Sequence, residues 1–189
     1  MEKFIQVYHD VISQEKCQYF IDKFESDVEN QEVQNNARGA TLTQINLLHS
    51  PDTIWRKDKD FITKILIENV ARYRKECDIK SYQWPEKFNF EPPKIKRYLP
   101  NTTDEFPEHV DVLDHETARR FLAMFIYLNN NVGGETDLLL KSQYDNHKFV
   151  SDCTQGSMLI FPPLWPWIHA GRKPVDKPKY IIGSYLHYV

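Results

Sequence analysis

The sequence predicts an α+β fold: a helical first part that supports a second part built as an antiparallel sandwich of the jelly-roll kind. Three observations carry this. Two apolar stripes recur at helical spacing before residue 80, at Cys17, Phe20, Ile21 and Phe24 and again from Ile54 to Tyr73. From Trp84 onward the chain breaks into short extended runs punctuated by Pro, Gly and Asn. Phe121 to Leu128 is apolar almost throughout, as expected of a strand buried on both faces. At 189 residues the chain suits one domain with a substantial core and is short for two. The expected unit therefore spans 1–189, with helical support over about 1–80 and a jelly-roll core over about 84–189.

Phe4 to Tyr8 alternates as a short strand does. Ser13 is placed to cap the first helix, and Glu15 in its first turn suits the helix dipole. Glu25 to Gly39 is rich in Asn, Gln and Glu and reads as a loop, either a solvated connector or a lid. Ala40 to Leu48 is β-like. Ser50 and Pro51 then open the second helix as cap and first helical residue, with the stripe Ile54, Trp55, Ile62, Ile65, Leu66, Val70 and Tyr73. Further on, strands are expected at Lys94–Leu99, Phe121–Leu128, from Gly133-Gly134 to about Lys141, at Lys148–Ser151, at Ser157–Phe161 and from Lys179 to the end. Pro100–Pro107 reads as a loop leading to His109, and Tyr144–His147 as a turn. Arg97, Arg119 and Arg120 read as solvated charges.

Composition narrows the function. Twenty-four Lys and Arg against 27 Asp and Glu give a net charge of −3, which offers no footprint for a polyanion, so no nucleic-acid partner is expected. Cys17, Cys77 and Cys153 are odd in number and widely spaced, which suits reduced structural thiols better than a disulfide framework. Neither a signal-peptide pattern nor a membrane-spanning run is present, so a soluble, cytoplasmic protein without a membrane partner is expected.

The chemistry gathers around His109-Val110-Asp111 and the segment Phe161 to Gly183. On an extended backbone, residues two apart share a face, so His109 and Asp111 can reach one ion. With His169 as third ligand, two imidazoles and a carboxylate form the facial triad of non-haem Fe(II) oxygenases. Ten residues later Lys179 heads an otherwise apolar run, where a cation is costly to bury unless an anion meets it. Taken singly, each residue has a bland reading: a chance triplet, a core histidine, a solvated lysine. Their order and spacing together are specific. His115 lies in a charged loop, His49, His147 and His187 lack an acidic neighbour at ligand spacing, and adjacent His9 and Asp10 would point to opposite faces. Lys177 shares a face with Lys179 and stays open as the cation should the last strand start early.

This pattern resembles the prolyl 4-hydroxylase-like branch of the 2-oxoglutarate and Fe(II) dependent dioxygenases. His109, Asp111, His169 and Lys179 stand in that family's order and spacing. The likeness extends to Arg97-Tyr98, Tyr127-Leu128-Asn129, Gly133-Gly134-Glu135-Thr136 and Gly156-Ser157-Met158-Leu159-Ile160-Phe161-Pro162, over roughly residues 95 to 186. The resemblance implies a double-stranded β-helix, with the metal near one open end. It also implies an enzyme using Fe(II), 2-oxoglutarate and O2, with ascorbate left open as a further requirement. Lys179 would take the 5-carboxylate of 2-oxoglutarate with Tyr127 beside it, and Tyr98 would line the cosubstrate or substrate cleft unless it is simply a core tyrosine. Decarboxylation would give succinate and CO2, and an unactivated C–H bond would become an alcohol. On family analogy the substrate is a prolyl residue in a peptide or protein. The alternatives are a free amino acid or small molecule, oxidative demethylation of nucleic acid, which the acidic charge disfavours, and a non-catalytic cupin-like module. Oligomeric state is not legible.

Overall fold

The computed structural model describes residues 2–35, 39–48, 52–101, 103–141 and 146–189. Its α-helices are α1 (Gln14–Ser26) and α2 (Asp52–Glu76), and its strands are β1 (Gln6–Tyr8), β2 (Glu32–Asn35), β3 (Thr41–Asn46), β4 (Phe88–Phe90), β5 (Lys94–Tyr98), β6 (Phe106–His109), β7 (Arg120–Tyr127), β8 (Thr136–Lys141), β9 (Asn146–Ser151), β10 (Met158–Phe161), β11 (Ile168–Gly171) and β12 (Lys179–Tyr188). Two sheets form. The larger runs β1-β10-β7-β12-β5-β3-β2, with β4 also on β12, and the smaller runs β6-β11-β8-β9. Every pairing is antiparallel.

Alternation along the strands builds two cores. Leu122, Met124 and Ile126 of β7 join Ile182 of β12 and Ile95 of β5 against Phe20, Phe24, Trp55 and Leu66 of the helices. The intervening Ala123, Phe125 and Tyr127 face the other way, toward Leu138, Leu159, Phe161 and Ile181 between the sheets. The long apolar run is therefore buried on both faces, as its sequence requires. The expected cap of α1 is present: Ser13 stays extended and its hydroxyl accepts from the Lys16 N–H.

Several expectations are corrected. Glu25 to Gly39 is not a plain loop: α1 runs to Ser26, a single turn follows, and β2 pairs with β3. This edge strand is polar and exposed, so no apolar alternation marks it. Residues 4–8 split into a 3-10 turn, Glu2–Phe4, and the shorter β1. Ile54 is 44 % exposed although it lies in the expected buried stripe, because its neighbour Trp55 takes the core position at that level. Strand β9 starts at Asn146 rather than Lys148, while β8 starts at Thr136, after rather than at the glycine pair. The short strands β4, β6 and β11, whose pairing is set by distant partners, carried no clear pattern. Ser50 and Pro51, and Tyr144 and Asp145 of the expected turn, lie outside the described residues, while Asn146 and His147 of that turn belong to β9. All three cysteines are free and buried. Among the described residues no helix is long and apolar enough to cross a membrane.

Candidate active site

The small sheet brings the metal-ligand candidates together. His109 ends β6 and His169 lies on β11, directly opposite it in register. Asp111 follows two residues after His109, with its backbone N–H donated to the Pro163 carbonyl. Asp111 Oδ1 lies 3.3 Å from His109 Nε2 and Oδ2 lies 3.2 Å from His169 Nε2. One ligand atom from each of the three residues lies within 4.8 Å of the other two, close enough for one ion to be held among them.

Protonation supports the same arrangement. His109 Nδ1 lies 2.7 Å from the Pro107 carbonyl and His169 Nδ1 lies 3.1 Å from that of Trp167. A carbonyl can only accept, so each Nδ1 carries a proton and Nε2 is the atom each ring turns inward. Burial pushes the His109 imidazole below its ordinary value. Burial opposes ionisation of Asp111, yet His169 and His109 hold its carboxyl well below the usual carboxylate range. His169 Nε2 and Asp111 Oδ2 are buried without a hydrogen-bond partner. Two imidazole nitrogens and a carboxylate gathered in this way fit a divalent metal. Phe106 stacks on His109 at 3.9 Å between centroids and Phe161 meets His169 edge-on at 4.8 Å, which fixes both rings.

The large sheet supplies the facing wall. Lys179 opens β12 and registers with Tyr98 of β5. The lysine is 2 % exposed and makes no ion pair among the described residues. Its ammonium lies 5.3 Å from the Tyr98 ring centroid and 5.9 Å from that of Tyr127. Burial depresses its affinity for a proton, with Cys153, Glu135 and Asp137 opposing that shift. A methyl on Gly134 would stand 3.1 Å from Lys179 Cδ, so the glycine makes room for the side chain. Lys179, Tyr98, Thr136, His109, Asp111 and His169 line one cavity. Tyr127 stands behind that wall, its hydroxyl donating to Thr136 Oγ1 at 2.8 Å. Lys177 is exposed and lies beside Asp176, outside the cavity lining.

Three groups at this site escaped the sequence reading. Tyr185 donates its hydroxyl to Asp111 Oδ1 at 2.9 Å, and burial together with Asp111 holds that phenol well above its ordinary pKa. Lys96 is 9 % exposed and lines the cavity. Arg120 is not a free surface charge: its guanidinium grips Glu91 at 2.6 and 2.8 Å and sits 4.1 Å from the Tyr185 ring centroid. Arg97 likewise pairs with Glu25. The alternation of β5 and β12 signals that Lys96 and Tyr185 share faces with Tyr98 and Lys179, but only once the orientation of those strands is known.

No curated protein matches this chain by sequence. Solved structures do match by fold. The viral collagen prolyl hydroxylase of Paramecium bursaria Chlorella virus-1, solved with 2-oxoglutarate, is 18 % identical, with 98 % of this chain and 96 % of that one covered and a TM-score of 0.66. A prolyl-4-hydroxylase of Pseudomonas putida is 12 % identical, with 98 % and 93 % covered and a TM-score of 0.65. A prolyl hydroxylase of Trichoplax adhaerens, solved with a hypoxia inducible factor peptide fragment, is 12 % identical, with 98 % and 84 % covered and a TM-score of 0.72. These likenesses confirm the jelly-roll architecture. The family description "2OG-Fe(II) oxygenase superfamily" matches residues 93–187, a span that includes His109, Asp111, His169 and Lys179. Its chemistry runs on Fe(II), 2-oxoglutarate and O2. The chain belongs to the 2OG-Fe(II) oxygenase superfamily.

Proposed function

We propose that the protein hydroxylates an unactivated C–H bond of a prolyl residue in a peptide or protein, with His109, Asp111 and His169 as iron ligands and Lys179 as the cation for 2-oxoglutarate. The observation that carries this reading is the meeting, in one cavity, of a buried acceptor cluster lacking a cation with a buried ammonium lacking an anion. The prolyl part is supported by the three similar structures, all prolyl hydroxylases.

Iron bound there supplies the superfamily's oxidation: O2 and 2-oxoglutarate are consumed, succinate and CO2 are released, and one oxygen atom enters the substrate C–H bond. The residues of this chain orient and shield that reaction. Lys179 neutralises the distal carboxylate of the cosubstrate. Thr136 accepts from Tyr127, so its own hydroxyl proton is free to point at the same carboxylate, and Tyr127 acts as a positioning residue through Thr136. Tyr98 closes the cosubstrate pocket beside Lys179. Tyr185 donates to Asp111 Oδ1 and so positions the carboxylate, whose Oδ2 would be the oxygen left for a metal.

The test is succinate formation by the purified protein with Fe(II) and 2-oxoglutarate under air, beside His109→Ala, with proline-containing peptides read by mass. Succinate that needs His109, together with a one-oxygen gain on a peptide proline, is the expected result. Succinate unaffected by His109→Ala would overturn the ligand assignment. Turnover without any modified proline would turn the search to free amino acids and small molecules.

A further inference from the structure

Lys96 is the second buried cation of this site, and the cosubstrate does not account for it. It sits on β5 two residues before Tyr98, so both side chains leave the same face of the strand toward the space between the sheets. It is 9 % exposed and makes neither a hydrogen bond nor an ion pair among the described residues. Its nearest described aromatic partner is Phe125, with the ammonium 6.0 Å from the ring centroid. A side chain on Gly183 would start 3.3 Å from the Phe125 ring and 3.8 Å from Lys96 Cε, so the glycine leaves the lysine its path.

Two cavities meet at this residue. Lys96, Asp111, Phe106 and Tyr185 line both the inner cavity that holds Lys179 and an outer one of about 180 Å³. The outer cavity also holds Lys94, Arg120 and Glu91, of which the last two neutralise each other. In the inner cavity Lys96 and Lys179 against Asp111 leave one positive charge. A divalent ion adds two positive charges and a dicarboxylate removes two, so one remains, at the junction with the outer cavity. An unpaired buried ammonium is costly, and a carboxylate from the open side relieves it. Burial pushes the Lys96 amine below its ordinary value, against the pull of Asp111, and a carboxylate beside it would favour its charged form.

We propose that Lys96 binds a carboxylate of the primary substrate, so that the bond oxidised lies within a few atoms of an acid group. That group is either the α-carboxylate of a free or C-terminal imino acid or an acidic side chain beside the target residue. This inference rests on the cosubstrate reading of Lys179, which leaves Lys96 unassigned.

Calorimetry on the Mn(II)-loaded protein with 2-oxoglutarate tests it without turnover. The probes are N-acetyl-L-proline against N-acetyl-L-prolinamide, and acetyl-Pro-Glu-amide against acetyl-Pro-Gln-amide. At least one acid is expected to bind about 10- to 100-fold tighter than its neutral counterpart, a charge-assisted bond. Lys96→Met abolishes that preference and Lys96→Arg keeps it, while Lys96→Met weakens 2-oxoglutarate binding less than Lys179→Met does. The pair that shows the preference tells a terminal carboxylate from a side-chain one. No acid preference in either pair, or a preference that survives Lys96→Met, overturns the proposal. A loss of 2-oxoglutarate affinity in Lys96→Met as large as that in Lys179→Met would assign the lysine to the cosubstrate instead, which also overturns it. Wild-type protein that fails to bind 2-oxoglutarate would sink the cosubstrate reading, and the acid and amide probes would then be compared on the Mn(II) protein alone.

Discussion

The two faces of the large sheet are made by the same strands and carry opposite chemistry. On β12, Tyr180, Ile182 and Leu186 pack toward the helices, while Lys179, Ile181 and Tyr185 face the small sheet. On β5, Ile95 goes to the helix side, while Lys96 and Tyr98 go to the cavity. The helix-side core is apolar packing that fixes where the strands lie. The inner face spends buried positions on lysines and tyrosines, which pack worse than aliphatic side chains but can meet ligands. A one-residue slip of β12 would exchange the two sets, so the helix-side apolar residues set the register on which the site depends.

The comparison breaks first at the small sheet. His109→Ala is expected to lower Mn(II) affinity by more than the 10- to 100-fold usual for an outer partner, and to abolish 2-oxoglutarate turnover, while the melting temperature of the metal-free protein barely moves. A helix-side substitution should do the reverse. Ile182→Ala, at 1 % exposure, should cost about 2–5 kcal/mol of unfolding free energy by urea titration and leave the 2-oxoglutarate affinity of the folded fraction unchanged.

Lys96→Met sharpens the contrast, because it moves stability and function in opposite directions. The folded-state pKa of Lys96, about 8, lies below its ordinary 10.5, so between those values the unfolded chain holds more protons and stability rises with pH. Below pH 8 the full penalty applies. The variant should therefore stabilise the metal-free protein by about 3 kcal/mol at pH 7, and that gain should fade above pH 10 in denaturation curves. Tyr185→Phe is the mildest case. It keeps the ring and removes the bond to Asp111 Oδ1, so about a tenfold loss of Mn(II) affinity is expected with little change in stability.

What could be read from the sequence follows the same division. His109, Asp111, His169 and Lys179 were legible because their chemistry is tied to spacing along the chain. Helices α1 and α2 and strand β7 were legible because periodicity encodes one buried face or two. Strand β2 was not, since an exposed polar edge has no pattern to display. Lys96, Arg120 and Tyr185 were not, since their roles come from which strand lies beside which: Lys96 faces Ile181 across β5 and β12, and Arg120 finds Glu91 by chain reversal. Tyr127 was recognised by its flanking residues, yet its hydroxyl reaches Thr136, a partner set by where β7 ends and β8 begins.

The central claim is that a metal site on the small sheet and a cation on the large sheet together hold one cosubstrate. Calorimetric titration of 2-oxoglutarate into wild-type, His109→Ala and Lys179→Met proteins, each with and without Mn(II), tests it most directly. The account predicts tight binding only to the metal-loaded wild type, loss of that binding in His109→Ala, and about 10- to 100-fold weaker binding in Lys179→Met at unchanged Mn(II) affinity. Binding indifferent to Mn(II), or equal in wild type and Lys179→Met, would contradict it.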